Sequence, residues 1–436
     1  MADWDCIVIG AGIIGSWAAY HLSSVGRRTL LIDQFMIPHT RGSSGGQSRI
    51  IRKAYTKACY AEMMSEAYSW WEKKTGVLII QHQDERGALE ESQTSMDQYN
   101  LPYKLLMGDE LAAKYPSIRG ISDCRGLLDT DAGLLLPSRC LIAIQDEFKK
   151  KGGIIHDGEK VEDIIPGTPV TVITSKRRYK ANKVVVAAGP WSKDILAKTG
   201  VDLPVKTMPG LVCYFHSHSP HIHSDVQRFP VVIEYSYSPG GAYRLVYIIP
   251  ITEYPGLVKT MPGLCVFFKE KTPLRDTFGV DSGFPIIYTY LYYRPAEYRF
   301  VCAFPSLEYP GMVKLVTRGE PPAYYCHPDE RDTRGSQDLV NILIEYVKKH
   351  LPGLDPTPMI MEPCVYSMTP DRDYIIDYHP RCKNILIAAG FSGHGYMRAP
   401  IIGLLVSQLI RHIPISYDLQ PFRLDRFKWS SVKSNL

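Results

Sequence analysis

No apolar run in the 436 residues reaches the ~18 needed to span a bilayer, so no transmembrane helix is expected. Charge of one sign is not gathered into blocks. The 50 Lys and Arg against 45 Asp and Glu leave a net charge of +5 spread along the chain, which offers nucleic acid no basic stripe and mildly favours small anionic ligands. The ten cysteines (6, 59, 124, 140, 213, 265, 302, 326, 364 and 382) show no C-x-x-C spacing and no Cys/His clustering. That argues against a zinc site and a disulfide framework, and no metal is expected. Most of them read as small buried hydrophobes. The chain opens directly on a strand, leaving no room for a signal peptide, so an intracellular protein is the expectation.

That first strand, Asp5-Cys6-Ile7-Val8-Ile9, leads into Gly10-Ala11-Gly12-Ile13-Ile14-Gly15. Gly10 and Gly12 permit a tight turn whose N–H groups can approach a pyrophosphate, and Gly15 lets the following helix pack on the sheet. Phosphate is thereby placed at a helix N-terminus, with Ile13 and Ile14 in its first turn. The helical stretch runs from Ile13 to Leu22, and a second strand, Thr29-Leu30-Leu31-Ile32, ends in Asp33, where a carboxylate can hold a ribose hydroxyl. The motif in this context specifies a dinucleotide and leaves FAD and NAD both open.

Next comes a polar loop from His39 to Arg52, rich in Gly and Ser and carrying Arg41, Arg49 and Arg52. It suits contact with an anionic cofactor or substrate, and on a helical turn Arg49 and Arg52 would share one face. Residues 57 to 75 carry an apolar stripe of Tyr60, Met63, Met64, Ala67 and Trp70-Trp71, which predicts a core-packing helix. A second helix is expected from Ser138 to Lys150. Val184-Val185-Val186-Ala187-Ala188-Gly189-Pro190-Trp191 and Ile385-Leu386-Ile387-Ala388-Ala389-Gly390 repeat the pattern of a buried strand stopping at a small-residue turn. Three such strands spread over the chain predict one parallel sheet built from discontinuous segments. That discontinuity favours a flavoprotein over an NAD enzyme.

The middle of the chain is duplicated. Val205-Lys206-Thr207-Met208-Pro209-Gly210-Leu211 recurs 53 residues later from Val258 to Leu264, and Tyr243-Arg244 and Glu253-Tyr254-Pro255-Gly256 recur 55 residues later at Tyr298-Arg299 and Glu308-Tyr309-Pro310-Gly311. Residues 205–258 and 259–315 are expected to be two copies of one β-rich unit. Two copies fall short of the ~3 that a solenoid needs, so a local tandem duplication within one domain is the reading, either as a genuine insertion or as two alternative coding segments joined in one chain.

Together, these residues resemble the monomeric sarcosine oxidase family, most closely its peroxisomal sarcosine/L-pipecolate oxidase branch. The resemblance rests on Arg41-Gly42-Ser43-Ser44 through Tyr55, on Ala188-Gly189-Pro190-Trp191, on Cys364-Val365-Tyr366 through Asp377 and on Gly390-Phe391-Ser392-Gly393-His394-Gly395. It implies an α/β protein: a Rossmann-like FAD-binding domain of residues 1–80, 138–204 and 350–415, an inserted α+β substrate domain of residues 81–137 and 205–349 with an antiparallel sheet, and a tail from 416 to 436. It implies bound FAD and oxidation of a secondary amino acid, sarcosine or L-pipecolate, to an imine with reduction of O2 to H2O2. The protein then supplies position and charge while the flavin carries the redox step.

The same resemblance implies roles. Cys364 matches the position bonded covalently to the flavin, Arg49 a cation near the ring, and Arg52 the ligand of the substrate carboxylate, with Tyr55 beside it. Tyr366 and His394 match positions lining the substrate pocket. Ser43, Ser44, Val161, Gly189, Trp191, Gly393 and Gly395 match cofactor contacts. A lysine after Glu-Tyr-Pro-Gly is the oxygen-activating group; Lys259 and Lys314 both qualify, and Lys314 is expected because it joins the C-terminal half in family order. Three positions depart from the pattern: Met397 replaces a second carboxylate-binding lysine, with Arg398 beside it as a substitute charge, Gly45 replaces a histidine, and Arg318 replaces another. These leave open a flavin-binding paralogue without turnover, or an oxidase or dehydrogenase of another N-alkyl amino acid. The terminal Ser434-Asn435-Leu436 resembles a peroxisomal address, which would imply an import receptor as partner, with the cytosol as the alternative. A monomer is expected, with no nucleic-acid or membrane partner.

Overall fold

The computed structural model describes residues 2–46, 48–71, 77–83, 87–114, 122–217, 232–237, 243–248, 287–288, 300–305, 312–318, 326–330, 337–350 and 353–427. In chain order its elements are β1 (Trp4–Ile9), α1 (Ile13–Ser24), β2 (Thr29–Ile32), β3 (Arg49–Ile51), α2 (Ala58–Ala67), β4 (Val77–His82), α3 (Ala88–Gln98), β5 (Tyr103–Met107), α4 (Gly108–Lys114), β6 (Cys124–Asp129), β7 (Gly133–Leu135) and α5 (Pro137–Lys150). There follow β8 (Ile154–His156), β9 (Val161–Ile165), β10 (Val170–Thr174), β11 (Arg178–Val186), α6 (Ser192–Ala197), β12 (Lys206–Ser217), β13 (Val232–Tyr237), β14 (Tyr243–Ile248), β15 (Ile287–Tyr288), β16 (Phe300–Pro305) and β17 (Met312–Arg318). The last are α7 (Gln337–His350), β18 (Leu354–Met368), β19 (Ile375–His379), β20 (Cys382–Ala389) and α8 (Ala399–Ile410). Lys259 and Ser434-Asn435-Leu436 lie outside the described residues.

The chain divides into two compact units. Unit 1 comprises Met1–Gly45, Leu141–Thr207 and Val365–Leu436. Its sheet runs β19-β20-β11-β1-β2-β8, with β10 and β9 attached to β11 in turn. β1 pairs in parallel with β2 and β11, β11 with β20, and β2 with β8, so the three buried runs expected to share one sheet do so from distant parts of the chain. They are apolar without alternation because Ile7, Leu30, Val184 and Ile385 on one face, and Val8, Leu31, Val185 and Leu386 on the other, are all buried. Helix α1 is buried from Ile13 to Ser23 and packs on α8, where His21 Nε2 meets the carbonyl of Pro400 at 3.0 Å. Burial holds the His21 pKa down at about 4, since a charge there would lose its hydration, so this imidazole ties the two helices as a neutral donor.

Unit 2 comprises Gly46–Cys140 and Met208–Cys364. Residues 46–80, expected with the nucleotide domain, belong here, because β4 is hydrogen-bonded along its length to β6. Arg49–Ile51 is a strand, paired antiparallel to β7, and not the helical turn on which Arg49 and Arg52 would share a face. The main sheet runs β18-β12-β17-β16-β14-β13-β4-β6-β5 and is mostly antiparallel. Along β17, Val313 and Leu315 enter one core with Phe215, Leu343 and Val347, while Val316 enters a second core with Val212, Tyr214, Ile79 and Ile50. The period of two thereby turns Lys314 toward the face of Tyr214 and Ile50.

Most of the two repeat copies lies outside the described residues, but their described strands follow the 55-residue offset. Val232 and Ile287 both pair in parallel with Leu78, and Ile233 and Tyr288 both with Ile79. Val246 pairs with Val301, and Tyr247 with Cys302, again 55 residues apart. Corresponding segments of the two copies thus address the same two residues of β4, where a strand edge has hydrogen-bonding groups for one partner. The shared address on β4 leads to the expectation that one copy can complete the sheet, with β14 taking the place of β16 beside β17. A chain lacking residues 260–314, which joins Lys259 to Leu315 and preserves the Pro-Gly-x-Val-Lys-Leu-Val order, is expected to fold. Thermal unfolding of the purified variant checks this; an insoluble product or one without a cooperative transition would show that both copies are structural.

Candidate functional site

In unit 1 the turn after β1 is shaped by contacts that leave no room for side chains. Gly10 has φ of +102°, and a Cβ there would lie 2.5 Å from the carbonyl oxygen of Ala187; at Gly15 a Cβ would lie 1.9 Å from the carbonyl oxygen of Gly10. Gly12 caps α1 with no side chain of its own to cover the helix start, the place where an anion is favoured. Ser44 Oγ accepts the N–H of Ile13 at 3.0 Å, bringing the polar loop onto the helix start. At the end of β2, Asp33 Oδ2 accepts the N–H of Ala11 at 2.8 Å, Oδ1 accepts that of Phe35 at 2.9 Å, and His39 Nε2 stands 3.3 Å from Oδ1. The ring of Phe35 meets those of His39 and Trp191 edge-on, and the Arg41 guanidinium lies 5.0 Å from its centroid. Gly189, with φ of +53°, starts the 3-10 turn that carries Trp191. Val161 is buried in the core at the start of β9, and Ser43 is exposed.

This cradle fits a dinucleotide: small residues where a backbone must approach phosphate, a helix start at Gly12 with no side chain of its own over it, and a carboxylate at the end of the second strand. Gly45, where the resemblance implies a histidine, is closely packed: a Cβ there would lie 2.9 Å from Thr40 Cα.

The C-terminal loop of unit 1 is organised by Arg398, which is fully buried. Its Nη1 donates to Tyr374 Oη and to the carbonyl of His394, both at 2.8 Å, and lies 3.3 Å from His394 Nδ1. His394 Nε2 meets the carbonyl of Arg372 at 3.0 Å. A carbonyl only accepts and a guanidinium only donates, so these partners assign the neutral tautomer with the proton on Nε2. Gly393 approaches Tyr366, where a Cβ would lie 3.1 Å from the ring. Met397 is buried, and Gly395 packs against Phe391.

In unit 2 two cations, Lys314 and Arg49, meet at Ser48. Lys314 is 2% exposed, its Nζ donates to Ser48 Oγ at 3.3 Å, and it lies 5.8 Å from the Tyr214 ring centroid. Arg49 Nη1 donates to the carbonyl of Ser48 at 2.9 Å. Burying an ammonium costs several kcal/mol, so a lysine is kept in such a place where its charge is used. Arg52, 8% exposed, lies with its guanidinium carbon 4.4 Å from the centroid of Tyr55, a desolvated stacking worth about 2 kcal/mol. Cys364, on β18, is half-buried against the core of Ile50, Ala54, Val212, Tyr214 and Val316. Arg318 contributes its backbone to β17.

Sequence reasoning passed over three residues of these arrangements. Ser48 stands inside the quoted motif but has no assigned role there. Tyr374 follows a polar Pro-Asp-Arg-Asp turn and opens a strand, with no local sign that it meets residues twenty positions on. Asp129 is wholly buried and accepts the N–H groups of Lys53 at 2.6 Å, Ala54 at 3.0 Å and Asp131 at 3.2 Å. Each bond to a carboxylate is worth about 1.5–3 kcal/mol, yet burial prevails and pushes the Asp129 pKa up to about 6. The signal available was an acidic residue closing the apolar run Gly126-Leu127-Leu128 ahead of a second aspartate and a glycine.

Among known proteins, residues 5–409 match the family described as FAD dependent oxidoreductase. The chain is 36% identical to the peroxisomal sarcosine oxidase of Mus musculus, over 97% of this chain and 96% of the relative. It is 27% identical to a monomeric sarcosine oxidase of Bacillus sp. (strain B-0618), again over 97% and 96%. In structure it is similar to the L-proline dehydrogenase of P. horikoshii, with a TM-score of 0.70 over 98% of both chains at 19% identity, a likeness of fold.

Proposed function

From the membership of this chain in the FAD dependent oxidoreductase family, we infer that it oxidises a secondary amino acid, sarcosine or L-pipecolate, at the C–N bond to an imine and returns the electrons to O2 as H2O2. The observation that carries this reading is the grouping in unit 2 of Arg49 and Lys314 on Ser48, with Arg52 laid on Tyr55 nearby in the chain. The relatives named as sarcosine oxidases support the choice of substrate.

FAD, when bound, supplies the two-electron acceptor and the route to oxygen. Gly10, Gly12, Gly15 and the N–H groups of Ile13 and Ile14 would hold its phosphates, Asp33 its ribose, and Ser44, Gly189 and Trp191 would flank them. Cys364 would carry the covalent bond. Arg52 grips the substrate carboxylate with a planar fork that is always charged, and Tyr55 keeps that fork flat. Tyr366 lines the pocket. The hydrogen-bond assignment leaves His394 neutral and bonded at both ring nitrogens, so its part is to shape the loop, and Arg398 supports that loop from beneath. Lys314 holds a fixed positive charge where negative charge develops on oxygen.

The reading includes a monomer, supported by the monomeric bacterial relative, and a peroxisomal location with an import receptor, supported by the mouse relative and by the need to keep peroxide near catalase. An amino-terminally tagged chain is expected to co-localise with catalase in cells; diffuse cytosolic signal would refute the location.

Mixing the purified protein anaerobically with sarcosine, pipecolate or proline is expected to bleach its visible flavin band, and a band unmoved by all three would refute oxidation of secondary amino acids. Lys314→Met should be bleached at the wild-type rate but reoxidised by O2 about 100-fold more slowly, the scale of one preorganised electrostatic group. Stopped-flow absorbance separates the two steps. In the wild type the flavin should stay with protein precipitated by acid, and in Cys364→Ala it should pass to the supernatant.

A further inference from the structure

Arg52 is followed by a segment that a buried acidic turn holds in place. β6 ends at Asp129, whose Oδ2 accepts the N–H groups of both Lys53 and Ala54, at 2.6 and 3.0 Å, and whose Oδ1 accepts the N–H of Asp131 at 3.2 Å. Asp131 in turn takes Lys53 Nζ at 2.7 Å, and that ammonium lies 4.9 Å from the ring centroid of Tyr68. The two consecutive peptide groups between Arg52 and Tyr55 are therefore fixed by one carboxylate from 75 residues away in sequence, and the side chain between them by a second. The guanidinium of Arg52 and the ring of Tyr55 that it covers leave the chain on either side of this clamp.

We propose that Asp129 is a positioning residue that sets the Arg52 guanidinium for the substrate carboxylate. The proposal rests on the reading of Arg52 as the carboxylate ligand. An arginine fork binds a carboxylate through two parallel bonds, and a displacement of its own backbone is carried through to both. Asp129 itself is buried and touches no reacting atom.

The clamp has a proton-dependent state. The groups facing Asp129 are the N–H donors of Lys53, Ala54 and Asp131, the charge of Lys53 and the buried Tyr68, which in turn faces Tyr55, Asp131 and Arg52. A proton taken on Oδ1 displaces the Asp131 N–H and removes the charge from Oδ2, which weakens the bonds Oδ2 accepts from Lys53 and Ala54, since a charge-assisted bond is roughly twice as strong as a neutral one. Burial raises the pKa from 3.8 to about 6, so the folded protein takes up this proton as the pH falls through about 6, and the intact clamp is the state above it. With the neutral state binding a carboxylate about tenfold more weakly than the ionised one, affinity falls about fivefold between pH 8 and pH 5.

The test uses the full-length flavin-containing protein and methoxyacetate, which presents the carboxylate of N-methylglycine with an ether oxygen in place of the amine and cannot be oxidised as an amine. Its Kd is read from the perturbation of the visible flavin band. The wild type should bind about fivefold more weakly at pH 5 than at pH 8. Asp129→Asn should bind about tenfold more weakly already at pH 8, with no further change at pH 5 and unaltered flavin content. Arg52→Ala should bind weakly at both pH values, and Asp129→Asn added to it should have no further effect. An Arg52→Ala variant that binds like the wild type would remove the reading of Arg52. A weak Arg52→Ala variant beside a normal Asp129→Asn variant would overturn the proposal alone, as would additive effects in the double variant. A wild-type Kd constant between pH 8 and pH 5 overturns it without any variant.

Discussion

Unit 1 depends on one crowded crossing, where the chain leaves β1, turns through Gly10 and enters α1 beneath the end of β11. Gly15 lies so close to the carbonyl of Gly10, and Gly10 so close to that of Ala187, that a single methyl group at either place would push backbone against backbone. Nothing flexible is available there to yield. The parallel pairing of β1 with β2 and β11, the start of α1 and the reach of Asp33 to the N–H of Ala11 all follow from that approach. A dinucleotide cradle is thus less a separate feature than the outer surface of a packing solution.

What could be read from residues alone followed the range of the interaction. The strands ending at Ile9, Val186 and Ala389 are runs of buried apolar side chains that stop at glycine or alanine, a local pattern, and the discontinuous parallel sheet followed from them. The segment Arg49–Ile51 was less tractable, because charges three residues apart read equally as a helical face; its pairing with Gly133–Leu135 settles it as a strand, and that partner is more than eighty residues away. Asp129 was invisible for the same reason, since its carboxylate serves N–H groups 75 residues earlier. The tautomer of His394 depends on Arg372, Tyr374 and Arg398 at once, and no spacing rule expresses three partners converging on one ring.

Charge in unit 2 is handled by geometry. Lys314 reaches its buried position because alternation along β17 puts its neighbours Val313 and Leu315 into one core and leaves the lysine facing another. Ser48 serves Lys314 with its hydroxyl and Arg49 with its carbonyl, so one small residue spaces two cations that would otherwise repel freely. A basic group in such surroundings has little freedom to relax, which is the property that electrostatic stabilisation of a developing charge requires.

The duplicated strands at β4 bear on how this sequence can change. Two segments suited to the same edge are a form of redundancy inside a single gene product: a lesion in one leaves a working replacement tethered to the same chain at high local concentration. Redundancy of that kind would relax the constraint on each copy by itself. The divergence between Tyr243-Arg244-Leu245-Val246-Tyr247 and Tyr298-Arg299-Phe300-Val301-Cys302 has that form, with the opening pair and the central valine retained and the flanking positions changed.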